Sequence, residues 1–155
     1  MKKRFEIISA MLIFSMSLSV LFAIPAAAQA AKPITLKIDG QTIATDSPPV
    51  IENGRTLAPV RAIVEALGYY VTWEEKTQTI GIYSYATDVM IIEMRVGSRT
   101  AKVLVGSSNY DDRVMDVPAK IINGRTMVPV RFLAETLGME VRWDEASRTV
   151  IITSA

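Results

Sequence analysis

Neither cysteine nor histidine occurs among the 155 residues. Without thiols there is no disulfide, no zinc thiolate site and no cysteine nucleophile. Without imidazole, the commonest transition-metal ligand and the base of the Ser-His-Asp triad are both missing. An enzyme made from this chain would have to work with carboxylates, lysine, tyrosine, serine or threonine alone. An excess of one charge is lacking too, since 17 Lys and Arg stand against 16 Asp and Glu. A net charge of +1 supplies no field for gathering phosphates, so no nucleic-acid partner is expected. Hydrophobic residues make up 50% and charged residues 21%, which excludes wholesale disorder.

The one long apolar run stands at the start. Lys2, Lys3 and Arg4 precede Ile7–Ala23, Pro25 breaks the run, and Ala28-Gln29-Ala30 has the small-x-small pattern of a cleavage site. This order of parts predicts a secretory signal peptide over residues 1–30, removed after Ala30. The run is at the short end for spanning a bilayer, so a retained anchor is the weaker alternative. The membrane is then a partner only if the segment stays uncleaved. No cysteine is present for lipidation, and Thr153-Ser154-Ala155 offers no second anchor. Residues 31–155 are expected to be secreted or held at the cell envelope by non-covalent contacts.

Those residues contain a repeat. Asn53-Gly54-Arg55-Thr56 recurs as Asn123-Gly124-Arg125-Thr126, an offset of 70. The same offset carries Pro59-Val60-Arg61 onto Pro129-Val130-Arg131, Glu65 onto Glu135, and Leu67-Gly68 onto Leu137-Gly138. It also carries Trp73 onto Trp143, and 16 of 32 positions agree without a gap between Ile51–Ile82 and Ile121–Ile152. Duplication explains this, and chance does not.

Each copy reads physically. Asn53-Gly54 and Asn123-Gly124 suit the positive φ angles of a tight hairpin. Pro59 and Pro129 suit a first helical turn, where a missing N–H has no helical partner. Ile63, Val64 and Leu67 follow at helical spacing, and Gly68, like Gly138, is placed to stop the helix. A helix of about nine residues is too short to stand alone, so it must pack on a sheet. Val71-Thr72-Trp73 then alternates as a strand, and Thr79–Ile82 returns as its partner. Pro33–Thr45 and Val89–Val105 read as further hairpins. The expected class is α+β: a mostly antiparallel sheet with one short helix per repeat, internally pseudo-symmetric. No linker separates the copies, so one unit of two repeats (about 33–85 and 86–153) is expected.

The residues Ile122–Phe132, Ala134–Gly138 and Val141–Glu145 closely resemble the copper amine oxidase N-terminal-like domain. This is a stalk-type module of secreted and envelope proteins of Gram-positive bacteria. The first copy matches too, with Ala58 where a larger aliphatic is usual and Ile51-Glu52 in place of an apolar pair. The resemblance covers about Pro33–Thr153. It implies fold and location, not activity. The family is named after an accessory domain, while the oxidase reaction resides in a larger domain with histidine copper ligands and a tyrosine-derived quinone.

Several constellations are weighed against structural roles. Asn109-Tyr110-Asp111 has the Asn-Tyr-acid context of that quinone, but copper would lack imidazole and sulfur ligands, so a polar loop over Ser107–Arg113 is expected. Glu74-Glu75 and Asp144-Glu145 adjoin tryptophans as a glycosidase's acids might. Adjacent acids in one turn diverge and stay solvated, however, whereas that chemistry needs two carboxyls facing one bond. Asp111, Asp112 and Asp116 lack the spacing of a calcium loop. Arg61–Glu65 and Arg131–Glu135 pair across a helical turn, and Arg55 and Arg125 in the hairpins offer an alternative anion site. Trp73 and Trp143 are expected in the core beneath each helix.

No cofactor is expected. The leading expectation is a non-catalytic extracellular or cell-envelope interaction or structural module. Tyr69, Tyr70, Tyr83 and Tyr85, with Arg55 and Arg125, form the candidate ligand surface, and a tyrosine platform would anchor a protein or stack on sugar rings. Carbohydrate or peptidoglycan binding is therefore the alternative, and a small carboxylate-dependent hydrolase the weakest reading. The expected partner is an envelope protein or polysaccharide.

Overall fold

The computed structural model describes Lys32–Ala155, so the segment expected to be a signal peptide, with its expected cleavage site, lies outside the described residues. In chain order the first repeat supplies β1 (Thr35–Ile38), β2 (Gln41–Ile43), β3 (Val50–Glu52), β4 (Arg55–Pro59), α1 (Val60–Ala66), β5 (Tyr69–Glu74) and β6 (Thr79–Ser84). The second supplies β7 (Met90–Arg95), β8 (Thr100–Val105), β9 (Asn109–Val114), β10 (Lys120–Ile122), β11 (Arg125–Pro129), α2 (Val130–Thr136), β12 (Met139–Asp144) and β13 (Thr149–Ser154).

Turn chemistry sets the local frame. Asn53 and Gly54 take φ of 48° and 71°, and Asn123 and Gly124 take 51° and 71°, the angles of a two-residue hairpin turn. Pro59 and Pro129 end their strands as N-cap residues, and each helix runs for only 7 residues. Neither cap has a side-chain hydrogen bond, so the helices depend on packing. They bury Val60, Ile63 and Val64 in one copy and Val130, Leu133 and Ala134 in the other.

The repeats meet along one seam. β4 pairs antiparallel with β11, placing Ala58 opposite Val128, Leu57 opposite Pro129 and Pro59 opposite Met127. Ala58 and Val128 are themselves equivalent in the duplication, so a pseudo-two-fold axis passes between them. The sheet around it runs β10-β11-β4-β3.

The other two sheets each combine strands of both repeats. One runs β12-β13-β1-β2, with β1 parallel to β13 in the register Thr35 to Thr149 through Ile38 to Ile152. The other runs β5-β6-β7-β8-β9 and is antiparallel throughout. The first is latched at its turn: Asp39 accepts hydrogen bonds from the Ser154 backbone N–H at 2.8 Å and hydroxyl at 2.7 Å. Symmetry breaks at β7, which sits between β6 and β8, whereas β1 lies directly against β13. The main core joins Leu36, Ile38, Ile63, Ile80, Ile82, Ile92, Leu133 and Ile152 from both halves.

The α+β expectation fails. Strands hold 52% of the described residues and helices 11%, so the chain is mostly β. The single, mostly antiparallel sheet is three sheets, one of them mixed. Hairpins are local and show in the periodicity, but which hairpin joins which is set by long-range burial. Ser107–Arg113 is also not a loop: β9 runs through Asn109–Val114 as an edge strand, every residue exposed. Among the described residues no helix is long and apolar enough to cross a membrane.

Candidate functional site

The β5–β9 sheet has one aromatic end. Because its strands alternate in direction, β5 and β7 begin where β6 and β8 end. Tyr70 and Tyr83 are direct cross-strand partners, and their rings stack at 5.3 Å with 14° between planes. Tyr85, in the turn after β6, closes on Tyr70 at 5.0 Å, tilted by 46°. Gly81 makes this possible: a Cβ there would lie 2.7 Å from both the Tyr83 ring and the Thr72 hydroxyl. Its counterpart in the other sheet is Ile151, where no tyrosines gather. Tyr85 is 64% exposed, and Val89 before β7, Val105 at the end of β8 and Tyr110 near the start of β9 are 36–40% exposed. Tyr110 donates its hydroxyl to the Met90 carbonyl at 2.9 Å. Of the tyrosines expected at the surface, Tyr70, Tyr83 and Tyr85 come together, while Tyr69 packs against the core.

The Tyr70 hydroxyl donates to the Asp88 carboxylate. That bond, ahead of burial and nearby charge, pushes the phenol up to about 12. A raised folded value favours the folded chain below the ordinary value of 10 and loses that contribution as pH climbs through the folded one. In a spectrophotometric titration Tyr70 is expected to ionise above the ordinary phenol value. Asp88→Ala should return it towards the ordinary value.

Two grooves flank the seam, of about 660 and 610 Å³. Every residue lining one has its counterpart, 70 positions away, lining the other. Each is built across the repeats: the hairpin of one copy faces the helix and tryptophan strand of the other. Arg55 donates to Asp116 in the first groove, and Arg125 to Asp46 in the second. Arg131 and Glu135 stand 3.9 Å apart, Arg61 and Glu65 3.6 Å, too far for hydrogen bonds. The hairpin arginines therefore lie in the grooves, apart from the tyrosines. Asp46 and Asp116 were not legible as partners, although the repeat does extend upstream through Asp46-Ser47-Pro48 and Asp116-Val117-Pro118.

Neither tryptophan is fully buried, although Trp143 packs against the core. Trp73 is 42% exposed and Trp143 half-buried. They share the inward face with Ile80 and Val150, their cross-strand partners, but stand on edge strands where the core gives way to the grooves. Trp73→Ala should accordingly cost under about 2 kcal/mol in urea unfolding, below the range for a fully buried aromatic.

The acids serve structure. Asp144 accepts from the Ser147 hydroxyl at 2.7 Å, which with turn N–H groups holds its carboxyl below the ordinary 3.8. Asp116 is lowered by Arg55, and Asp39 by Ser154. Lowered folded values mean stabilisation present above the unfolded value and lost as pH falls through the folded one. Stability should therefore decline below about pH 4, less steeply in Asp116→Asn. These acids stay ionised and supply no protonated partner for glycoside chemistry. Among the described residues no three carboxylates converge to hold a metal.

The fold and grooves define a duplicated, two-fold β module. Residues 37–152 match the family model of the copper amine oxidase N-terminal domain, and the chain belongs to that family. It is also 25% identical over 134 residues to a "Protease inhibitor" of Brevibacillus choshinensis. That match covers 83% of this chain and 37% of the relative, so the chain spans little more than a third of the relative's length. No solved structure matches it.

Proposed function

We propose that the chain is a non-catalytic module, secreted or held at the cell envelope, that docks a partner protein through the tyrosine-rich end of the β5–β9 sheet. One observation carries this reading: Tyr85 and Tyr110 are 64% and 40% exposed at the end of the sheet where Tyr70 and Tyr83 stack. Exposed tyrosines on a rigid support supply large contact area at low entropic cost, as protein interfaces require. The name of the Brevibacillus relative supports a protein as partner, and an extracellular protease is the first class to test.

Residues 31–155 would be assayed as an inhibitor of secreted serine, cysteine and metalloproteases, alongside Tyr85→Ala/Tyr110→Ala. Inhibition lost in that variant without loss of fold is the expected result. A protease bound equally well by the variant would show that this end is not the docking surface.

A second reading, peptidoglycan binding, rests on the angle between Tyr85 and Tyr70, which forms an aromatic corner able to take a sugar ring. Co-sedimentation with purified cell wall, abolished by Tyr85→Ala, would favour it over protein docking.

A further inference from the structure

We propose that the two grooves are equivalent peptide-binding sites, each taking an extended segment that carries an apolar side chain beside a carboxylate. This goes beyond docking at the tyrosine-rich end and uses none of its residues.

The lining indicates the chemistry. The first groove offers exposed Ile51 and Val114 with half-buried Val141 and Trp143, above buried Val130 and Val150. The second repeats this with exposed Ile121, Ala44 and Trp73 and half-buried Val71, above buried Val60 and Ile80. Branched aliphatic walls fit apolar side chains; a sugar ring would ask for more aromatic faces and planar polar groups. Both volumes fall in the range of ligand sites, about 300–1,000 Å³.

The charges indicate the neighbour. Arg131 and Arg61 are 58% and 71% exposed, and each stands beyond hydrogen-bond distance from its glutamate. A guanidinium with unspent donors accepts a carboxylate as a planar fork. The second guanidinium of each groove, Arg55 or Arg125, is already held by an aspartate and serves as a fixed wall. The grooves differ at one charged position, where Arg142 faces Thr72 across the repeat. The groove of Trp143 therefore has three arginines against two acids and should hold a carboxylate more tightly than its twin.

Symmetry adds a consequence. Sites related by a two-fold axis bind directional ligands running in opposite senses. A single straight segment cannot enter both in one sense, so the chain takes two segments and would join two partner chains.

The two tryptophans, one per groove, make the test direct. Random nonapeptides with free C-termini would be selected on residues 31–155. A selected peptide would then be titrated into Trp73→Phe and Trp143→Phe, so that each remaining indole reports its own groove. Enrichment of Val, Leu, Ile or Phe next to Asp, Glu or the terminal carboxylate is expected, with fluorescence shifts at both indoles and two peptides per chain. Arg131→Glu should weaken binding at Trp143 at least tenfold and leave Trp73 responsive, and Arg61→Glu should do the reverse. The proposal is overturned if no peptide enriches above background or if bound peptide moves neither indole. It is equally overturned if cell-wall oligosaccharides shift the indoles where peptides do not.

Discussion

Leu133→Ala is expected to destabilise the entire chain by about 2–5 kcal/mol, in one transition. Leu133 is 0% exposed and sits in a core that includes Ile80 and Ile82 of the other repeat. Truncation removes buried methyl groups and leaves a cavity whose lining belongs to both halves. The cost is a large fraction of an ordinary domain's stability of about 5–15 kcal/mol. The measurement is urea unfolding followed separately through Trp73 and Trp143 in the single-tryptophan variants. Both midpoints should fall together, although the substitution lies in the second repeat. A Trp73 transition left at its original midpoint would mean that the repeats unfold independently.

Separated halves, residues 33–85 and 86–155, are expected not to fold. Without the second half, β6 loses β7 and the β4 seam loses β11. Without the first, β13 loses β1 along four paired residues, and Leu36 and Ile38, 1% and 5% exposed, are withdrawn from the core. Burying such side chains is worth roughly 1.5–3 kcal/mol each, so losing several exceeds what a half of this size can spare. Far-ultraviolet circular dichroism and proteolysis of each half would reveal the outcome, and mixing the halves should restore strand signal and protection. A half that unfolds cooperatively by itself would contradict the interleaving of β1 and β7 as the source of stability.

Much of the local structure was legible. Asn53-Gly54 and Asn123-Gly124 announce their hairpins because few other dipeptides adopt positive φ twice in succession. Gly68 and Gly138 stop the helices at φ of 80° for a related reason. The stretch around Asn109 was misread because β9, an edge strand exposed at every residue, lacks the alternation that marks a half-buried one. Trp73 is more exposed than expected and Trp143 only packs against the core, because the end of the core at an edge strand leaves no local trace. Of the tyrosines singled out, Tyr70, Tyr83 and Tyr85 come together, while Tyr69 packs against the core. In the sequence Tyr110 reads only as part of a polar loop, and strand order alone brings β9 to the same end of the sheet.

The amino-acid pattern alone determined that the chain is duplicated at an interval of 70, which turns it makes, and that thiol and imidazole chemistry lie beyond it. Those properties are local or compositional, carried by backbone preference and side-chain inventory. Only the tertiary structure decided that β1 crosses to β13, that β7 intervenes between β6 and β8, and that two matching grooves open beside the seam. Each depends on apolar faces finding one another across long separations in sequence, and an ordered string of residues does not state which face wins.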